Sequence, residues 1–150
     1  MIHYVRGDAT KPVGTGLKII VHSCNDLGAW GSGFVLAVSK RWKEPEARYR
    51  AWFKEKYPAL GEVQFVSVAD DVIVANMIGQ QGLVGPKNPH PAKYDAFRTG
   101  LSTVAEMARG SAATVHMPRI GCGLGGATWE KVEAIINEVM QGVQVTVYDL

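Results

Sequence analysis

The chain has 150 residues, of which 47% are apolar and 20% charged, with a formal net charge of +2. That composition excludes a disordered chain, and the length fits one domain, residues 1–150, able to bury a core without covalent staples. The small net charge argues for no polyanionic partner, and two cysteines, Cys24 and Cys122, form neither a disulfide framework nor a zinc spacing.

In chain order, Ile2–Val5 alternates as a short strand that ends at Arg6-Gly7-Asp8. Residues 17–22, Leu-Lys-Ile-Ile-Val-His, form a near-continuous apolar run, the pattern of a strand buried on both faces. It runs into Ser23-Cys24-Asn25-Asp26 and then a glycine-rich stretch at 28–33. Phe34–Arg41 reads as a helix, and Pro45 fits the first turn of a second one reaching to about Lys56. Val63–Val68 and Val72–Asn76 read as a hairpin around Asp70-Asp71. Residues 78–91 have no periodicity and read as one long loop. Tyr94, Phe97, Leu101, Val104 and Ala108 mark a helix, and Thr114–Met117 a strand cut by Pro118. Thr128 is a suitable N-cap for a helix carrying Trp129, Val132, Ile136 and Val139, and Val143–Tyr148 is the last strand. Strands alternating with helices, plus one hairpin, give an α/β sheet covered on both faces. Ligands of such sheets bind outside the carboxyl ends of the strands.

Seventeen residues are glycine, and ten of these fall in 28–33, 79–85 and 121–126. Two stretches, Gly31-Ser32-Gly33-Phe34 and Gly121-Cys122-Gly123-Leu124-Gly125-Gly126, lie between a strand and a helix. There, successive backbone N–H groups can point at an anion, with a helix dipole behind them; the plain alternative is tight turns. Neither stretch is a Walker A loop or a GxGxxG fingerprint. Asp8 suits either a turn or a hydrogen bond from a base amino group or ribose hydroxyl. Asn25 and Asp26 suit sugar hydroxyls or an Asx-turn. Cys122 reads as lying near a helix N-terminus, a place that can lower a thiol pKa. His22 and His116, in apolar strands, read as satisfied core histidines. Segment 40–57 holds seven Lys/Arg against three Glu, but its aromatics Tyr49, Trp52 and Phe53 share a helix face. It therefore reads as a solvated amphipathic helix rather than a nucleic-acid surface.

Val5-Arg6-Gly7-Asp8-Ala9-Thr10, Gly31-Ser32-Gly33-Phe34 and Met117-Pro-Arg-Ile-Gly-Cys-Gly-Leu124 followed by Trp129-Glu130 together resemble the macro domain family. The resemblance runs over essentially the whole chain. It is greatest to the branch containing terminal ADP-ribose protein glycohydrolase. It implies a three-layer α/β/α fold with a central mixed sheet and a cleft for ADP-ribose. By that resemblance Asp8 holds the adenine amino group, with the Ala9 backbone beside it and Tyr148 at the border. Gly31, Ser32, Gly33 and Phe34 wrap the distal ribose and one phosphate. Ile120, Gly121, Cys122, Gly123 and Leu124 cradle the diphosphate, and Asn25 faces the distal ribose. The glycohydrolase of this branch relies on a Lys after the central strand and an Asp after Gly-Cys-Gly-Leu. Here the first position falls near Gln80 or Gln81 and the second is Gly125. A catalytic Asp after the first glycine loop is also absent from Phe34-Val35-Leu36-Ala37.

The expected function is binding of ADP-ribose and hydrolysis of ADP-ribosyl groups from modified, acidic protein side chains. Asn25, Asp26 and Gln80 are the candidates to orient the water. The alternatives are a non-catalytic ADP-ribose reader and an ADP-ribose 1″-phosphate phosphatase. The expected partners are ADP-ribose or an ADP-ribosylated protein, with no metal, cofactor, membrane or nucleic acid. A cytoplasmic monomer is expected. The start Met-Ile-His-Tyr-Val-Arg-Gly-Asp carries no apolar leader, and no run approaches the ~20 apolar residues of a membrane span.

Overall fold

A computed structural model describes residues 2–150. Its elements are β1 Ile2–Arg6, β2 Lys18–Asn25, α1 Phe34–Arg41, α2 Glu44–Glu55, β3 Val63–Ala69, β4 Val72–Gln80, α3 Tyr94–Ser111, β5 Thr114–Met117, α4 Trp129–Val139 and β6 Val145–Asp149. The sheet has six strands in the order β1-β6-β5-β2-β4-β3. All neighbours are parallel except β3 and β4, which form the expected hairpin.

The apolar run in β2 decides the layering. Ile19 and Val21 face one core, together with Ala75 and Met77 of β4, Phe97, Leu101 and Val104 of α3, and Val132 and Ile136 of α4. Ile20 and Cys24 face the other, with Val74 and Ile78, Val35 and Val38 of α1, and Tyr49 and Phe53 of α2. Each large side chain so buried contributes about 1.5–3 kcal/mol. Covering both faces favours a central strand without a solvent-facing side, which is why residues 17–22 read as a near-continuous apolar run. This is the three-layer α/β/α arrangement.

The structure corrects several expectations. β2 continues past His22 to Asn25, and β4 past Asn76 to Gln80, so the loop begins at residue 81 rather than 78. The parallel ladder carries both strands on, with a register slip after Cys24 that sets Asn25 opposite Gln80. Gly79 is not punctuation. A Cβ there would strike the Phe97 ring and come within 2.5 Å of Ser23 Oγ, so packing against α3 demands glycine inside the strand. The loop is also less irregular than its sequence. Gln81 N–H donates to Pro91 O at 2.8 Å, and Gly85 and Asn88 form a bridge. Thr128 occupies the N-cap of α4, but its side chain makes no capping hydrogen bond. Its N–H instead donates to Tyr94 Oη at 2.9 Å. In segment 40–57, Tyr49 and Phe53 are core residues and the basic side chains point to solvent.

Candidate functional site

Parallel strands end on one side of a sheet, and the loops that follow them must meet there. β2 delivers Asn25 and the 28–33 loop, β4 delivers Gln80 and the 81–93 loop, and β5 delivers residues 118–126. Together they enclose a cavity of about 460 Å³ lined by His22, Ser23 and Asn25, by Gly31 to Val35, by Gln80, Leu83 and Val84, and by Pro118 to Gly121 and Gly123 to Gly125. A second cavity of about 230 Å³ adjoins it, lined by Gly7, Asp8, Ala9, Tyr148 and Asp149 among others. Phe34, Pro118 and Arg119 line both.

The backbone of the larger cavity is rich in unspent donors. Among the described residues, the N–H groups of Gly31, Ser32, Gly33 and Phe34, and of Ile120, Gly121, Gly123 and Leu124, donate to no protein acceptor. The first four precede or open α1, so its dipole adds to them. Gly33 has φ +83° and ψ −152°, a conformation essentially confined to glycine. Two loops with unpaired N–H groups lining one cavity supply the donors an anion would need, without any lysine.

The sequence-predicted residues divide. Asn25, Gly31, Ser32, Gly33, Phe34, Gln80, Ile120, Gly121, Gly123 and Leu124 line the larger cavity, and Asp8, Ala9, Phe34 and Tyr148 the smaller. Cys122 and Asp26 line neither. The Cys122 side chain turns away, with Sγ 3.5 Å from Ile120 O. Burial raises its thiol pKa, which corrects the expected lowering. The next helix begins only at Trp129, too far to supply a dipole. Asp26 instead accepts from Gly82 N–H at 2.8 Å and holds the 81–93 loop. The Asn25 amide is largely spent on its own turn. Its Oδ1 accepts from Leu27 N–H, Ala29 N–H and Tyr49 O–H at 3.0, 3.1 and 3.1 Å, and its Nδ2 donates to Ala29 O at 2.7 Å. Of the three candidates to orient water, Gln80 alone makes no side-chain hydrogen bond among the described residues.

Burial works to raise the Asp8 carboxyl, but the Thr10 N–H and hydroxyl, each at 2.8 Å, with Lys11 and Arg41 nearby, hold it below the usual carboxylate value. It is therefore an anionic acceptor at neutral pH. His22 lies under the first loop, edge-on to Trp30 with ring centroids 5.5 Å apart. Its Nε2 meets Asn76 Oδ1 at 2.7 Å, and Asn76 Nδ2 is committed to Pro45 O and Gln64 Oε1. That network assigns the proton to Nε2. Burial pushes the imidazole pKa down to about 4, so the ring is neutral. His116 behaves alike. Its ring nitrogens meet Thr114 Oγ1 and Tyr148 Oη at 2.7 Å, and burial holds its pKa near 4. Sequence reasoning missed Arg119, Pro118, Leu83 and Val84 as lining residues. Only the fold brings them to the rim.

The absence of an acid at 125 has a geometric reason. A Cβ on Gly125 would lie 2.6 Å from Gly121 O, and that oxygen accepts from Ala127 N–H at 2.8 Å. This backbone path leaves no room for a side chain. No carboxylate lines the larger cavity among the described residues. Among them there is also no group of three or more His, Cys, Asp or Glu placed to hold a metal, and no helix is long and apolar enough to cross a membrane.

No family model matches the chain. A macrodomain protein from Streptomyces coelicolor is 52% identical with a TM-score of 0.89, over 100% of this chain and 99% of its own. An ADP-ribose 1″-phosphate phosphatase of Candida albicans is 25% identical over 92% of this chain and 93% of its own length. The ADP-ribose glycohydrolase OARD1 of Bos taurus is 38% identical over 41% of this chain and 42% of its own length. Chromodomain-helicase-DNA-binding protein 1-like proteins of mouse and zebrafish are 28% and 30% identical, but this chain spans only 17% and 15% of their length.

Proposed function

The chain belongs to the macrodomain family, and from that premise we propose that it binds ADP-ribose across the two adjoining cavities and hydrolyses ADP-ribosyl groups from acidic protein side chains. The observation that carries this reading is the pair of loops whose free N–H groups face one cavity next to the Asp8 pocket. A diphosphate fits between the loops. The Asp8 carboxylate can accept from an adenine amino group, with Tyr148 and Phe34 as apolar walls. The distal ribose then lies at Asn25, Gly31 and Gln80.

The chemistry asked of this site is modest. In a carboxylate ester at the anomeric carbon the leaving group is already a weak base, so no general acid is needed. Water adds to the anomeric carbon, the C–O bond to the side-chain carboxylate breaks, and the released proton passes to solvent. Fixed N–H dipoles hold the phosphates, which orients the ribose for attack. Gln80 is the group able to orient the water, because the Asn25 amide is occupied and Asp26 lies outside the cavity. This reading predicts turnover of a glutamate-linked ADP-ribosyl peptide, slowed by Gln80→Ala with little loss of ADP-ribose affinity. An intact substrate beside normal ADP-ribose binding would leave a reader. Phosphatase-named relatives that match nearly full length favour one second reading, hydrolysis of ADP-ribose 1″-phosphate. Phosphate release from that compound, with the glutamate-linked peptide untouched, would establish it instead.

A further inference from the structure

Arg119 stands where the two cavities meet, and its guanidinium is fixed from three sides. Its Nε and Nη2 donate to the two carboxylate oxygens of Asp149 at 2.7 and 3.0 Å. Its Cζ lies 5.2 Å from the ring centroids of both Tyr4 and Trp129. The box is closed by Trp129 Nε1 donating to Tyr4 Oη at 3.0 Å, and by Tyr4 O–H donating to the Glu133 carboxylate. One side chain therefore joins the 118–126 loop to β1, β6 and α4. The tie extends to the smaller cavity. Asp149 O accepts from Gly7 N–H at 2.7 Å, one residue before Asp8, and Tyr148 precedes Asp149 in β6.

An exposed ion pair alone contributes little. A bidentate pair held between two aromatic faces is a rigid connection, because the planar fork has one orientation that satisfies all its partners. Rigidity matters at this place for a reason of ligand geometry. A molecule that spans two pockets gains affinity over its halves only when the pockets keep the spacing of its own linker.

We propose that Arg119 is a positioning residue that fixes the distance between the adenine-side and phosphate-side cavities, so that a dinucleotide-length ligand engages both at once. The proposal rests on the ADP-ribose reading above. Arg119 lines both cavities, and the role assigned to it runs through the frame, which the three-ligand comparison separates from a direct contact.

The test compares three ligands in titrations with the whole chain: ADP-ribose, which spans both cavities, and AMP and ribose 5-phosphate, which each fill one. The unmodified protein is expected to bind ADP-ribose far more tightly than either half. Arg119→Ala should weaken ADP-ribose by at least about tenfold and change AMP and ribose 5-phosphate by less than about twofold. Arg119→Lys keeps the charge but makes one bond to Asp149, so its loss should be intermediate. Asp149→Asn should weaken ADP-ribose in the same selective way. The Arg119→Ala/Asp149→Asn pair should be no worse than Arg119→Ala alone, since both remove one connection. If Arg119→Ala does not fold, the Lys and Asn variants carry the comparison. Equal weakening of all three ligands overturns the proposal, because it marks a direct contact or general damage. Unchanged ADP-ribose affinity overturns it as well. Failure of the unmodified chain to bind ADP-ribose is a different result, and overturns the reading on which the proposal rests.

Discussion

The two glycine loops of the cleft share a composition and differ in why they contain glycine. In the 28–33 loop, a Cβ on Gly31 would meet nothing within 4 Å, and one on Gly33 only Leu124 at 3.9 Å. In the 121–126 loop, a Cβ on Gly121 would sit 2.6 Å from the Phe97 ring, and one on Gly126 2.6 Å from Pro89 O. Gly125 meets the Gly121 backbone. Gly31 is thus open on its side-chain face, and Gly33 is held to glycine by its backbone angles rather than by packing, while Gly28, at the start of that loop, already meets the Phe53 ring at 3.2 Å. In the second loop Gly121, Gly125 and Gly126 are bare because the protein already fills the space, and Gly123 is not. Glycine enrichment alone therefore does not identify a ligand surface; the vacancy around each glycine does.

That contrast can be broken by substitution, and the largest effect belongs to the packed loop. Gly121→Ala combines a positive φ of 74° with a collision against Phe97. It should cost about 3 kcal/mol or more, lowering the melting temperature by about 10 °C. Gly125→Asp, which supplies the acid the family resemblance expects, should destabilise at least as much and add no hydrolysis. A stable, more active Gly125→Asp protein would refute the account of that loop.

A comparable effect comes from acid, through the floor of the open loop. His22 has a folded pKa near 4 against an ordinary value of 6.5. The unfolded chain therefore binds the proton first. The contribution of His22 should be fully present well above pH 6.5, fall as pH drops through that value, and be lost below 4. The loss is about 3 kcal/mol from His22, with His116 adding to it. The lowered carboxyls of Asp8, Glu46, Asp71 and Asp149 lose their contribution as pH falls through and below their ordinary values of 3.8 to 4.5, so urea titrations between pH 7 and about 5 report chiefly the histidines. A flat profile there would contradict a neutral buried His22.

Smaller effects test the open loop. Gly33→Ala strains one residue by about 1–3 kcal/mol, yet nothing blocks the added methyl. The protein should fold and lose ADP-ribose affinity by more than about tenfold. Gly31→Ala should shift stability by less than about 0.5 kcal/mol and weaken binding several-fold, because only an incoming ligand would meet the new methyl. Gly123 is the one position where the second loop behaves like the first, with nothing within 4 Å of a Cβ. Gly123→Ala should match Gly31→Ala. If either alanine destabilises like Gly121→Ala, the distinction between the loops fails.

The local elements were legible because their patterns are local. The doubly buried run at 17–22, the one-sided faces of α2 and α4, and the hairpin around Asp70-Asp71 read directly from spacing. The two cleft loops were legible because strand ends of a parallel sheet share one side. What failed depended on partners distant in sequence. Gly79 is a packing residue only because Phe97 crosses it, and Asn25 loses its free amide to Ala29 and Tyr49. Arg119 reaches its importance through Asp149, Tyr4 and Trp129, which no spacing in the sequence brings together.

The most direct measurement of the central claim is calorimetric titration of the unmodified chain and of Gly31→Ala with ADP-ribose. The account requires saturable one-to-one binding tighter than about 0.1 mM, or about −5.5 kcal/mol. It also requires weaker binding by a Gly31→Ala protein whose melting temperature has not moved. No saturable heat from the unmodified chain, or equal affinities for the two proteins, would contradict it.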